Sequence, residues 1–113
     1  MSADITQVEM AVLQAQAEAA VATRNYLAQH GDRDACGFAW VNIYGIRSNS
    51  KLGKALQAAG FRKSWERGVL QFWNPAKSGT QSVSALEAGA YAFAERIKQN
   101  LGIEQCYAGS RLD

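Results

Sequence analysis

CGFAWVNIYG, residues 36–45, decides the fold. Phe38, Trp40, Asn42 and Tyr44 alternate with Ala39, Val41 and Ile43, which is the period-two pattern of a β-strand. Both sets are largely apolar, so this strand is expected at the centre of a sheet. The rest of the chain then has to pair with it or pack on it.

Upstream, residues 4–29 place Ile5, Val8, Val12, Ala15, Ala19, Ala22 and Tyr26 on one stripe of a helix that His30 and Gly31 close. The stripe is mostly Ala beyond Val12, so its partner can approach closely. That partner is either the domain's own core or the same helix of a second subunit, and a homodimer or larger assembly is expected. Downstream, Ser48, Asn49 or Ser50 can cap a short helix with Leu52, Ala55, Leu56 and Ala59 inward, ending at Gly60. FRKSW (61–65) and VLQFW (69–73) flank ERG, which predicts a hairpin with Gly68 at a positive φ. Ser84 and Glu87 have the spacing of a capping box before a helix that buries Val83, Leu86, Ala90, Phe93, Ile97 and Leu101 and stops at Gly102. EQCYA (104–108) reads as a last strand and GSRLD (109–113) as a tail.

The order predicts an α/β (or α+β) domain, with a three- to four-stranded mixed sheet and three helices, the N-terminal one long and Ala-rich. A single domain is expected over 1–113, divided into the helix of 1–31 and an α/β core of 36–113. An apolar share of 48% with one Pro suits a folded chain rather than a disordered one. MSADITQVEM lacks the basic residues and apolar run of a signal peptide, and no stretch is long enough to cross a bilayer, so a cytoplasmic location is expected. Cys36 and Cys106 are too few for a disulfide framework or a zinc site; both open expected strands and so can be neighbours. No Cys/His spacing suits a metal and no cofactor motif occurs. His30 is the single His, and a Cys36–His30 pair would lack an orienting third group. A catalytic role is therefore not expected.

Charge is uneven. Residues 36–80 carry Arg47, Lys51, Lys54, Arg62, Lys63, Arg67 and Lys77 against Glu66 alone, a net of +6, whereas 1–35 sum to −3 and 81–113 to −1. An anionic partner belongs with the middle third. If strands 36–45 and 69–74 run parallel, the loops after them leave one edge of the sheet. The first loop offers Arg47, Ser48, Asn49 and Lys51; the second offers Asn74, Lys77, Ser78, Thr80 and Gln81. Each enters a helix N-terminus, which favours negative charge. Arg111 and Asp113 reach the same edge if the last strand is parallel too. The competing reading is that these hydroxyls and amides only cap helices. Strand aromatics are expected in the core, with Trp65, between Lys63 and Arg67, as the exposed ring that can stack on a base.

CGFAWV, WNP, EAGAYAFAERI and the closing GSRLD together resemble a group of small uncharacterised bacteriophage-encoded proteins that share a GFAWV-like strand and a terminal S-R-x-D. The similarity covers most of residues 35–113. It implies a setting, the cytoplasm of an infected bacterium, and no site residues. Three functions remain open. The first is non-enzymatic binding or sequestration of a small phosphorylated, nucleotide-like ligand. The second is nucleic-acid binding through the basic 47–67 surface. The third is antagonism of a host protein through the exposed part of the first helix.

Overall fold

The computed structural model describes residues 5–32 and 35–113. Asp4, the expected first residue of the N-terminal helix, lies outside them, as do Arg33 and Asp34 of the charge pattern. Seven elements follow in order: α1 (Ile5–His30), β1 (Gly37–Tyr44), α2 (Lys51–Ala58), β2 (Arg62–Lys63), β3 (Val69–Trp73), α3 (Val83–Leu101) and β4 (Cys106–Leu112). The class is α+β, as the order of elements predicts.

The sheet order is β2-β3-β1-β4, and every neighbouring pair is antiparallel. β1 is central, with Trp40 opposite Trp73 on one side and opposite Gly109 on the other. From β1 onward, this order and connectivity are those of the split β-α-β-β-α-β arrangement. The expected mixed sheet is thus antiparallel throughout. Residues 109–112 are not a fraying tail either, because they continue β4 along the whole length of β1.

Alternation along β1 sends Ala39, Val41 and Ile43 inward, each at most 2% exposed. They meet Leu70 and Phe72 of β3, Leu56 of α2, and Phe93 and Ile97 of α3 in one core. Phe61, Phe72 and Phe93 form its aromatic centre, with ring centroids 4.8–6.0 Å apart. Such rings carry a large share of core burial.

α1 buries Val8, Ala11, Val12, Ala15, Ala19 and Thr23, mainly against α3. Ile5 is exposed, and Thr23 takes the place expected of Ala22, donating from its hydroxyl to the Ala85 carbonyl at 2.8 Å. Gly89 makes the close approach possible, since a Cβ there would lie 2.4 Å from Thr23 Oγ1. The Ala stripe is therefore filled by the chain's own α3 and is not free for a second copy. Arg96 of α3 grips Glu18 of α1 through Nε and, at 2.8 Å, through Nη2. This forked bond, more than simple charge attraction, holds the Glu18 carboxyl below its usual range.

The α3 cap differs from the expected capping box. Ser82 is the N-cap and accepts from the Ala85 N–H at 3.2 Å, while Glu87 accepts from Ser110 Oγ on β4. At the other end Gly102 closes the helix in the left-handed region, as expected.

Two measurements test this account. Phe93→Ala should cost about 3–5 kcal/mol in denaturant unfolding, because the cavity cannot collapse among packed rings. For Glu18 the folded pKa is lowered, so its stabilising effect is complete above the unfolded value of about 4.3. The difference in stability between the wild type and Glu18→Gln should hold above that pH and shrink as the pH falls through the folded value.

Candidate functional site

Because β1 and β3 are antiparallel, the chain exits after them lie at opposite ends of the sheet. The upper edge, where β1 ends, carries Arg47, Ser48, Asn49, Lys51 and, in the β2–β3 turn, Trp65. The lower edge, where β1 begins, carries Asn74, Lys77, Ser78, Thr80, Gln81, Arg111 and Asp113. Eight extended residues separate the two, roughly 25 Å at the rise of a strand. The expectation that three exits converge on one phosphate-sized pocket is therefore overturned, because it required parallel strands.

The two loops are also largely self-satisfied. Ser50 Oγ donates to the Arg47 carbonyl and accepts from the Gly53 N–H, and Gln57 Nε2 donates to the Ser48 carbonyl. The approach is tight: a Cβ on Gly53 would lie 2.0 Å from the Arg47 carbonyl oxygen. Below, the Val83 N–H at the start of α3 donates to the Ala35 carbonyl. Thr80 Oγ1 donates to the Asp32 carboxylate at 2.6 Å and accepts from the Ser82 N–H. A carboxylate at that helix start repels an anion. Ser50 and Ser82 cap the two helices, while Ser78 and Thr80 brace the lower loop by accepting from the Thr80 and Ser82 N–H groups.

What the fold does expose is the other face of the sheet. All three helices lie on the inner side, and Phe38, Trp40, Asn42 and Tyr44 of β1 point away from them. Trp73, Gln71, Tyr107 and Arg111 share this outer face by register. Trp73 is 49% exposed, Phe38 38% and Tyr107 51%, while Trp40 and Tyr44 are half-buried. The expectation that strand aromatics are core holds for Phe72 and fails for Trp40, Tyr44 and Trp73, which Phe38 and Tyr107 join on the outer face. Period two does not reveal which face the helices cover.

The outer rings are ordered by one another. Trp40 and Trp73 have centroids 5.3 Å apart, and Phe38 meets Trp73 edge-on at 6.2 Å. The Arg111 guanidinium lies over Phe38 at 5.6 Å. No Arg111–Asp113 ion pair forms among the described residues. Trp40 packs flat across β4 because its partner is Gly109, where a Cβ would lie 2.5 Å from the indole nitrogen. Between the aromatic groups, Gln71 Nε2 donates to Asn42 Oδ1 at 3.0 Å. Tyr44 and Tyr107 form a second ring pair, with Lys98 over Tyr107.

Cations gather at both ends of the sheet; Arg62, opposite Gln71, and Arg111 share the outer face, whereas Lys63, opposite the inward Leu70, and Lys54 of α2 lie on the helix side. At the upper edge a groove of about 210 Å³ runs between Ile46, Ser48 and the β2–β3 turn and is lined by Lys63 and Arg67. Two adjoining hollows also use Lys63, one with Arg62 and Gln57, the other with Lys54, Asn49 and Ser48. Trp65 stands beside them, 95% exposed as the sequence leads one to expect. At the lower edge, Lys77 and Arg111 are exposed.

The remaining chemistry is quiet. Cys36 lies at the lower edge, with its carbonyl bonded to the Asp113 N–H, whereas Cys106 pairs with Ile43 near the upper edge. The two thiols are not neighbours. Burial pushes the Cys106 thiol up to about 12, so it stays protonated and unreactive. Cys36 Sγ donates to Gln81, and His30 stacks on Tyr26. No group of three metal-ligating side chains occurs among the described residues, and none of their helices is long and apolar enough to cross a membrane. Comparison with protein-family models, with curated proteins and with solved structures gives no match.

The fit of Trp40 over Gly109 is open to a direct check. Gly109→Ala should lift the indole off β4 and alter the near-UV circular dichroism of the Trp40–Trp73 pair. The folded signal in the far-UV should be retained, because the displaced group is a side chain free to turn toward solvent.

Proposed function

We propose that this protein binds single-stranded nucleic acid across the open face of its sheet. The observation that carries the reading is the uncovered ring cluster Phe38–Trp73–Trp40 lying between two cationic edges. A flat ring on a rigid strand gives a nucleobase a stacking surface at little entropic cost, and every base has a face to stack. The central strands of a four-stranded sheet are where such rings act in one common class of RNA-binding domain, an analogy of architecture alone. Arg62, opposite Gln71 on the outer face, Arg67 in the turn above, and Lys77 and Arg111 below are placed to neutralise phosphates.

The separation of the edges favours a chain over a small ligand. A nucleotide cannot reach both cationic ends, whereas about four linked nucleotides span the sheet and meet rings along the way. Of the readings open at the sequence level, the nucleic-acid one gains most, with its surface extended from 47–67 onto the outer face. A second reading rests on Lys63, which lines three adjoining hollows with Lys54, Arg62 and Arg67. There a small phosphorylated ligand would bind at the upper edge alone, without the rings.

Fluorescence anisotropy with labelled single-stranded ten-mers separates the two. Trp73→Ala should weaken binding by about 1–3 kcal/mol, the worth of one stacked base. Arg62→Ala, on the outer face, should weaken it for all sequences alike and lower the slope of log K against log salt by about 1, with Lys63→Ala having little effect. Binding that responds to Lys63→Ala but not to Trp73→Ala would favour the small-ligand reading and sink the stacking one.

A further inference from the structure

One side of α1 is buried, mainly against α3, yet the opposite side is apolar too. Met10, Leu13, Ala17 and Val21 recur at three- and four-residue spacing, so they fall on one line along the helix. That line lies half a turn away from Val12, Ala15 and Ala19, which make the core contact. Met10 is 65% exposed, Leu13 64% and Val21 43%, and Ala17 is exposed as well. A helix at the surface ordinarily presents polar side chains there. Apolar residues scattered singly need no partner, but a continuous line of them is a face.

The charges at its two ends say what covers it. Glu9 stands beside Met10 at one end and Arg24 stands at the other; both are exposed, and neither is in an ion pair among the described residues. Measured from Ala17, Arg24 lies about 10.5 Å along the helix in one direction and Glu9 about 12 Å in the other. A second copy of the helix laid antiparallel, with a two-fold axis at Ala17, therefore brings Glu9 of each chain to Arg24 of the other. The same alignment sets Leu13 beside Val21 of the second copy, and Met10 along the stem of its Arg24. The small Ala17 at the crossing lets the two backbones come close. A parallel pairing would set Glu9 on Glu9 and Arg24 on Arg24, and like charges oppose it.

We infer that two copies of this chain associate through the outer face of α1, antiparallel and about a two-fold axis at Ala17. Such a contact needs one surface that complements itself, and this one has apolar side chains along its middle and opposite charges at its ends. The Ala stripe stays with α3, and the second copy sits on the other side of the same helix. Few side chains are covered, so the dimer is reversible and belongs to the small end of interface sizes. The inference does not rest on nucleic-acid binding. All three helices lie on one side of the sheet, so a second copy on α1 leaves the ring cluster of each chain open.

Sedimentation equilibrium over a concentration series reaching the millimolar range reads the mass directly. The wild type should pass from the mass of one chain to that of two, with no larger species. Leu13→Glu changes an exposed side chain, so it should keep its far-UV circular dichroism and stay at the mass of one chain throughout. Glu9→Arg and Arg24→Glu should each weaken association roughly tenfold, because symmetry spoils two charge pairs at once. The two reversals together should restore it. A wild type that remains a single chain, or a Leu13→Glu variant that still pairs, would overturn the inference. So would single reversals without effect, or a double reversal that does not recover the wild-type association, because the antiparallel register requires both.

Discussion

The structure depends on the one-sided covering of β1. Its inward residues Ala39, Val41 and Ile43 are closed off by α2, α3 and the first helix beyond them, while β3 and β4 take up its hydrogen bonds on both edges. With every helix on one side, the outward residues of a strand that is apolar on both faces have only one another to pack against. They do so as a ring cluster that rests on Gly109 and leaves half of Trp73 in solvent. A contiguous exposed aromatic surface of this kind is uncommon on a protein with nothing to bind there.

The same topology decides what sort of ligand the cations can serve. Antiparallel pairing of β1 with β3 sends the two polar loops to opposite edges, and Ser50, Ser78, Thr80 and Ser82 spend their hydroxyls on caps and contacts within the loops. On the proposed reading, separated charges at the two ends of an aromatic strip suit an extended polyanion better than a compact one, because a strand would offer a phosphate to each cation and a base to each ring. The acidic Asp32 beside Thr80 works against an anion at the start of α3, so the lower-edge cations that remain for a phosphate are Lys77 and Arg111.

The platform is held firmly because the helical layer behind it is tightly packed. Ala15 and Ala19 let α1 approach α3 until Gly89 meets Thr23, and the Glu18–Arg96 fork fixes the pair in register. α3 in turn spans from the loop after β3 to the start of β4. The residues around Asn74 are therefore positioned by a helix that is itself clamped on two sides.

Local chemistry was legible in the chain. Periodicity placed all three helices and the main strands, Gly31, Gly68 and Gly102 marked their turns and ends, and the charges around Trp65 marked it as exposed. Each of these rests on residues a few positions apart, where sterics and capping act directly. Strand direction, the choice between Ser82 and Ser84 as cap, the partner of the Ala stripe and the face left bare were decided only by the folded chain. They follow from pairing between distant segments: the Cys36–Ser82 bridge that sets the start of α3, and the β1–β4 ladder that turns an expected tail into a strand. A period-two pattern says that Trp40 and Val41 face opposite ways, but which of the two meets the helices depends on where α3 comes to rest.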